Sequence, residues 1–310
     1  MSYTIQPNRP FFAEVEKIVD SQAEKGLDSL RQQDDLEEAI HDVRRRCKKV
    51  RAAWRLLRDE LGDQEYKRRN RYYRDTARLL SDARDATAVL ESLDNLERQF
   101  GDAVYVDTFR EMREALKVER DGILPDPAQQ PAMLARAQRR LEKAKAKVNP
   151  IDQSFEDWSG TVDSLTRTYG RGFVAFEHMK KEPTAETMHE WRKRTKYLRY
   201  ELRMLKTVWK PLINPWRKQL HQLTDWQGHH HDLHVLKQAM QQQPQVSDQT
   251  QRTLLALATQ YQAYTYRMAM PLGQRLFAEK PKHFAKRMRQ YLLAWNAEPE
   301  APQPIRIAFS

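Results

Sequence analysis

The sequence predicts an all-α protein made of two copies of one helical unit. Three observations point there: chain-breakers are scarce, apolar residues recur at helical spacing, and the second half repeats a basic motif of the first. Of 310 residues only 9 are Gly and 15 are Pro, about 8% together against roughly 12% in an average chain. A sheet-rich fold, with its many tight turns, would need more. Apolar residues make up 40%, enough for a core, which excludes wholesale disorder.

The elements follow in order. Residues 11–33 read as helix after Pro10. Asp34 with Glu37 makes a capping-box start for a helix over 35–61. Residues 64–99 are long and periodic, with a bend expected near Ser81-Asp82. Helices over 102–120 and 131–148 are separated by the breaker run Gly122 to Pro127. The second half predicts helices over 152–181, 185–208 (after Pro183-Thr184), 212–242, 248–279 and 282–296. Pro299, Pro302 and Pro304 mark 298–310 as a loose, Pro-rich tail. No stretch alternates like a strand.

The internal match is specific. Ile40 to Arg51 lies over Met188 to Arg199, so that His41 meets His189 and Asp42 meets Glu190. Arg44, Arg46, Lys48, Arg51 and Arg55 meet Arg192, Arg194, Lys196, Arg199 and Arg203. Further on, Arg71 lies over Lys218, Arg74 over His221, and Asp85 over Asp232. At 3.6 residues per turn, Ile40, Val43, Cys47, Val50, Trp54, Leu57 and Leu61 form one apolar seam. His41, Arg44, Lys48, Arg51 and Arg55 form a second stripe, rotated about 120° from the seam. Met188, Trp191, Thr195, Leu198, Leu202 and Leu205 repeat the seam, and His189, Arg192, Lys196, Arg199 and Arg203 the flank.

Charge says what those flanks are for. There are 54 Lys plus Arg against 43 Asp plus Glu, a net charge of +11. Between Arg44 and Arg58 stand eight basic residues and no acid. A solvated helix face normally mixes signs for support four residues apart. A one-sided face that recurs with His leading both times fits a polyanion laid between the two stripes.

His41 to Leu57 and His189 to Leu205 resemble the signature helices of the CHAD domain, the conserved histidine α-helical domain. Arg71 to Ser81, Ala83 to Ala86, Thr168 to Gly172, Pro183-Thr184 and Gly228 to Leu233 resemble further landmarks of that family. Similarity covers about residues 10–297, with first and second repeats of about 10–150 and 151–297. The resemblance implies two pseudo-symmetric antiparallel helical bundles in one compact unit, with a basic channel or groove between them. It also implies binding of inorganic polyphosphate, without catalysis, and association with polyphosphate granules. The expected binding set adds Arg45 and Lys193 to the two stripes, and Arg74, Arg78, Arg84, His221 and His231 from the segments that follow. Gly170 and Phe173 stand where the family usually has Arg, leaving Arg171 as the one cation there. Some family members carry a fused CYTH domain, but Glu14 to Ile18 puts Ile18 where that domain's strand needs Lys.

Polyphosphate presents charge without bases. Its binder needs a track of donors: forked Arg, mobile Lys and titratable His. Phosphate or sulfate ions fit the same donors. No cofactor is expected, and no metal: His229, His230, His231 and His234 cluster, but no Cys or second His group accompanies them. His41-Asp42 resembles a phosphohydrolase dyad in letters only, because adjacent helical residues point about 100° apart. Cys47, on the seam, reads as packing, and Trp54 and Trp191 as core. An RNA-binding helical protein is the alternative, and would show surface aromatics. A phosphate-chain enzyme is the third class, and would need a carboxylate cluster or an activated nucleophile. Nucleic acid and membrane partners are not expected, since no stretch approaches the ~18 apolar residues of a span. A lone Cys47 and an N-terminus without a signal-peptide pattern read as cytoplasmic.

Overall fold

The computed structural model describes residues 3–6, 9–32, 35–123, 128–146 and 159–298. Helices account for 88% of these and no strand occurs among them, as the sequence predicts. They are α1 (Phe11–Gln32), α2 (Leu36–Leu56), α3 (Arg58–Leu79), α4 (Ser81–Phe100), α5 (Val106–Ile123), α6 (Gln130–Ala146), α7 (Ser159–Lys181), α8 (Ala185–Met204), α9 (Lys210–Gln241), α10 (Asp248–Leu276) and α11 (Pro281–Asn296). The expected Pro-rich tail, from Pro299 on, lies outside the described residues, as does Asp34.

Local chemistry sets the helix ends. Asp35 caps α2, its carboxylate accepting from the backbone N–H of Glu37 (2.9 Å) and Glu38 (3.2 Å); the expected cap was Asp34. Thr184 and Thr187 form a reciprocal capping box at α8, satisfying two donors that a helix start leaves open. The helix expected over 35–61 instead ends at Leu56, and α3 takes over at Arg58. Within α3 the backbone kinks at Gly62 (φ 72°, ψ 159°), a left-handed conformation that glycine adopts without a Cβ clash. The bend expected near Ser81 is a break between α3 and α4 at Leu80. In the second half α9 runs unbroken through the corresponding stretch.

Packing follows the apolar seams. In the first half α2 packs on α1 and α3, and α6 on α1 and α3; in the second, α8 packs on α7 and α9, and α11 on α7. The halves meet where α2 touches α8 and α3 touches α7. The seam residues Ile40, Val43, Cys47, Val50, Trp54 and Leu57 are buried, as are Met188, Trp191, Thr195, Leu198, Leu202 and Leu205. One large core spans both halves. A second core gathers Leu93, Leu96, Phe109 and Met112 of α4 and α5 with Leu236 and Met240 of α9 and Leu254 of α10.

The N-terminal segment also joins the halves. Tyr3 Oη donates to the Lys49 carbonyl on α2 (2.8 Å). The Ile5 N–H donates to the Met204 carbonyl (3.0 Å), and Thr207 Oγ1 donates to the Ile5 carbonyl (2.6 Å). Among the described residues, no helix is long and apolar enough to cross a membrane.

Candidate polyanion-binding site

The site is built where α2 and α8 lie against each other. Their seams point into the core, so their basic flanks end up partly covered and close together. Burial, then the charges of Arg44 and Arg192, push the Lys48 ammonium down to about 8. Burial, then Arg192 and Lys48, hold Lys196 well below the usual lysine range. Each lysine therefore feels a cation of the opposite half. Like charges at close range disfavour protonation, and so does desolvation.

Carboxylates from neighbouring helices partly offset this. Arg44 Nη2 donates to Asp85 Oδ1 of α4 (3.2 Å), and its Nη1 to the Ala77 carbonyl (3.1 Å). Arg192 is held below the usual arginine range by burial, with Asp232 of α9 as the first opposing charge. A Cβ at Gly228 would sit 3.2 Å from Arg192 Nη2, so glycine there makes room for the guanidinium. Arg51 Nε donates to Asn70 Oδ1 (2.9 Å) and Arg199 Nη1 to Thr224 Oγ1 (2.9 Å), which fixes these equivalent arginines in place.

Histidines complete one end. The His189 and His231 rings lie 4.4 Å apart. His189 is lowered by burial, then by Arg192 and Lys193. His231 is pushed down to about 3 by burial, then by His189 and Arg192. Both are neutral at pH 7, each able to present one N–H and one acceptor.

The expected binding residues do not all gather here. Arg44, Lys48, Arg192 and Lys196 act on one another between α2 and α8, Arg51 and Arg199 are held on the same two helices, and His189 and His231 sit beside Arg192. Arg45 turns to Asp42, which also takes Arg46 and Ser29. Burial raises the Asp42 carboxyl, but those hydrogen bonds outweigh it and hold it below the usual range. Lys193 and Arg194 pair with Glu190. Arg55 is only 8% exposed, its guanidinium 3.6 Å over the Tyr197 ring of α8. Arg203 is exposed, 5.7 Å over the Tyr3 ring. Arg74 pairs with Asp75 (2.7 Å) and His221 with Asp225 (2.6 Å). His41 and Arg78 are exposed, and the Arg84 side chain lies outside the described residues.

Several charged groups escaped sequence reasoning. Lys49 is pushed down to about 8 by burial, then by Arg203 and Arg45. Arg171 is lowered by burial, then by Arg194, Arg58, Arg167 and Arg55, so this lone cation of its own segment stands in a group assembled from four helices. The match of Asp85 with Asp232 was visible, but not that each carboxylate faces an arginine.

Residues 21–241 match the CHAD domain. The chain belongs to the CHAD family. The CHAD match takes in α2, α8 and α9, and therefore all eight of these residues. A solved structure with a similar fold is PptA from Streptomyces chartreusis, with a TM-score of 0.61 and 16% identity over 87% of this chain and 100% of that one. No curated protein matches the chain. Among the described residues no group of three or more His, Cys, Asp or Glu is arranged to hold a metal.

Proposed function

We propose that this CHAD protein binds inorganic polyphosphate along the facing basic flanks of α2 and α8, without turning it over. The observation that carries the reading is the charge relation of Lys48 and Lys196, each partly buried near a cation of the other half. Such an arrangement is electrostatically unfavourable when empty, and a linear polyanion relieves it. In this reading an approximate two-fold relates the two halves, and the α2–α8 contact marks a basic channel or groove. Membership of the CHAD family supports the choice of polyphosphate among polyanions. Free phosphate or sulfate fills the same donors weakly, and the protein associates with polyphosphate granules in the cytoplasm.

The test is a titration of the full chain with polyphosphate of defined length, at rising salt, beside duplex DNA and orthophosphate. Affinity should be highest for polyphosphate and fall steeply with salt, as counterion release requires. No phosphate should be released with or without Mg²⁺. Duplex DNA binding as tightly per phosphate would overturn the ligand assignment, and phosphate release would overturn the non-catalytic one.

A further inference from the structure

The outer face where α9 meets α10 carries a cluster of aromatic rings. The two helices run antiparallel: Lys237 Nζ donates to Thr259 Oγ1 (3.4 Å), Gln262 Nε2 to the His230 carbonyl (3.0 Å), and Trp226 meets Tyr264. Tyr264 and Tyr261 lie nearly parallel, 14° apart with centroids at 6.0 Å. Trp226 meets Tyr264 edge-on, at 5.7 Å and 83°. His229 stands 6.1 Å from Trp226 and 6.4 Å from Tyr261. Tyr264 is 40% exposed, and the other three rings are half-buried.

Cations flank this surface. One helical turn before Trp226, Gln222 enters a groove of about 300 Å³ lined also by Arg217, Lys218, His221 and Asp225. Asp225 occupies Nδ1 of His221, which leaves Nε2 for another partner. On α10 the exposed Arg267 follows Tyr264 by three positions, on the same face. Because the helices are antiparallel, that step leads toward the groove. Polyphosphate has no π-face, so it makes no use of the rings.

We propose that this α9–α10 face binds a nucleobase joined to phosphate, the base stacking on Tyr264 beside Trp226 and the phosphate held by Lys218, His221 and Arg267. Aromatic platforms of this kind accept any base, since each has a π-face. The eight positions from Lys218 to Trp226 span about 12 Å of helix, so the base and phosphate subsites adjoin without overlapping. The rings lie on the α9–α10 face, while the phosphate end adjoins the α2–α8 residues: Arg199 Nη1 donates to Thr224 Oγ1, which donates to the His221 carbonyl.

The experiment measures fluorescence anisotropy of a labelled single-stranded oligoadenylate and of an abasic ribose-phosphate oligomer of equal length, at fixed salt. Full-length protein is compared with Tyr264→Ala and Tyr264→Phe, with thermal melts to check folding. Wild type should bind oligoadenylate about tenfold tighter than the abasic oligomer. Tyr264→Ala should erase that preference while leaving abasic and polyphosphate binding unchanged, and Tyr264→Phe should keep it. Competition with ATP separates the sources: displacement assigns the face to free nucleotides, and retention to the polymer. Equal affinity for the base-bearing and abasic oligomers overturns the proposal, as does an oligoadenylate affinity that Tyr264→Ala leaves unchanged. Failure of polyphosphate to bind, with base preference intact, would count only against the proposed function.

Discussion

Lys48 of α2 and Lys196 of α8 occupy equivalent positions in the two signature helices, and the Lys48 charge helps to hold Lys196 below the usual lysine range. Burial contributes more than either neighbour, and Arg192 stands second. Both ammonium groups thus cost stability in the free protein. They are retained at the contact between the halves, where two apolar side chains would pack without repulsion. A functional site that opposes stability is a common compromise, and it makes separable predictions.

Replacing both lysines with Gln should raise the melting temperature and weaken polyphosphate binding together. Relief of desolvation and repulsion is worth on the order of 1–2 kcal/mol, a few degrees for a chain of this size. Two lost charge-assisted contacts predict an affinity loss of about a hundredfold. The pH signature follows from the lowered folded-state values. The native protein sheds these protons before the unfolded chain does, so wild-type stability should gain as pH rises from about 8 toward 10.5 for Lys48. Lys196 is lowered in the same direction and adds a gain of the same sign. Melts between pH 7 and 10 should show the gain in wild type and a smaller one in the double variant; parallel curves would refute the assignment.

His189 and His231 act with the same sign on the acid side. Their folded values are lowered, that of His231 to about 3, so the unfolded chain takes up protons first as pH falls. Stability of the free protein should decline from about pH 6.5 downward. A bound polyanion reverses the field and favours the imidazolium, so binding should take up protons and tighten between pH 8 and 6. Calorimetry at pH 6 in two buffers of different ionisation heat measures that uptake. Substituting His189→Gln and His231→Gln should remove most of it, whereas identical heats for wild type in both buffers would show that neither ring is protonated on binding.

The seams and flanks of α2 and α8 were legible because both follow the 3.6-residue period, and the repeat made the flanks meaningful. That period does not say which end of a stripe becomes covered. Arg55 continues the line of Lys48 and Arg51, yet packing of α2 on α8 closes over it and lays it on Tyr197. The end of α2 was hidden for a related reason: Leu57 and Leu61 keep the apolar spacing going across the break after Leu56. Asp85 and Asp232 lie on other helices, so only tertiary packing reveals them as partners. Trp226 and Tyr264 have the composition of core residues, and their exposure depends on how α9 and α10 meet.

Gly273 is predicted to be intolerant of a side chain. A Cβ there would fall 2.5 Å from Trp191 Cζ2 and 2.7 Å from Phe176 Cε2, two rings that pack at 4.8 Å. Gly273→Ala should destabilise by about 1–3 kcal/mol, the usual cost of overpacking. Gly122, whose Cβ would meet nothing within 4 Å among the described residues, serves as the control; Gly122→Ala should be neutral or stabilising by up to about 1 kcal/mol. Denaturant midpoints for the two variants measure both, and equal midpoints would show that the rings yield to the methyl group.

Glu201 supplies the last test, because it is a carboxyl in the core beneath the site. It is fully buried; Thr168 Oγ1 donates to its Oε1 at 3.1 Å, while Oε2 has no hydrogen-bond partner among the described residues. Burial raises it to about 8, against the opposing charge of Arg55 and the Thr168 bond. The native state therefore holds this proton at pH values where the unfolded chain, near the ordinary glutamate range, has lost it. A raised carboxyl contributes stability below the unfolded value and loses it as pH climbs through the folded one, here from about 4.5 to 8. Glu201→Gln preserves shape and the acceptor for Thr168 but cannot ionise. The variant should melt close to wild type near pH 5 and several degrees above it near pH 9, the difference opening between those limits. Polyphosphate affinity at pH 7 should change little, since the carboxyl, raised to about 8, is largely neutral there. A melting difference that stays constant from pH 5 to 9 would mean that Glu201 has the same proton affinity folded and unfolded, and that Arg55 compensates its burial in full.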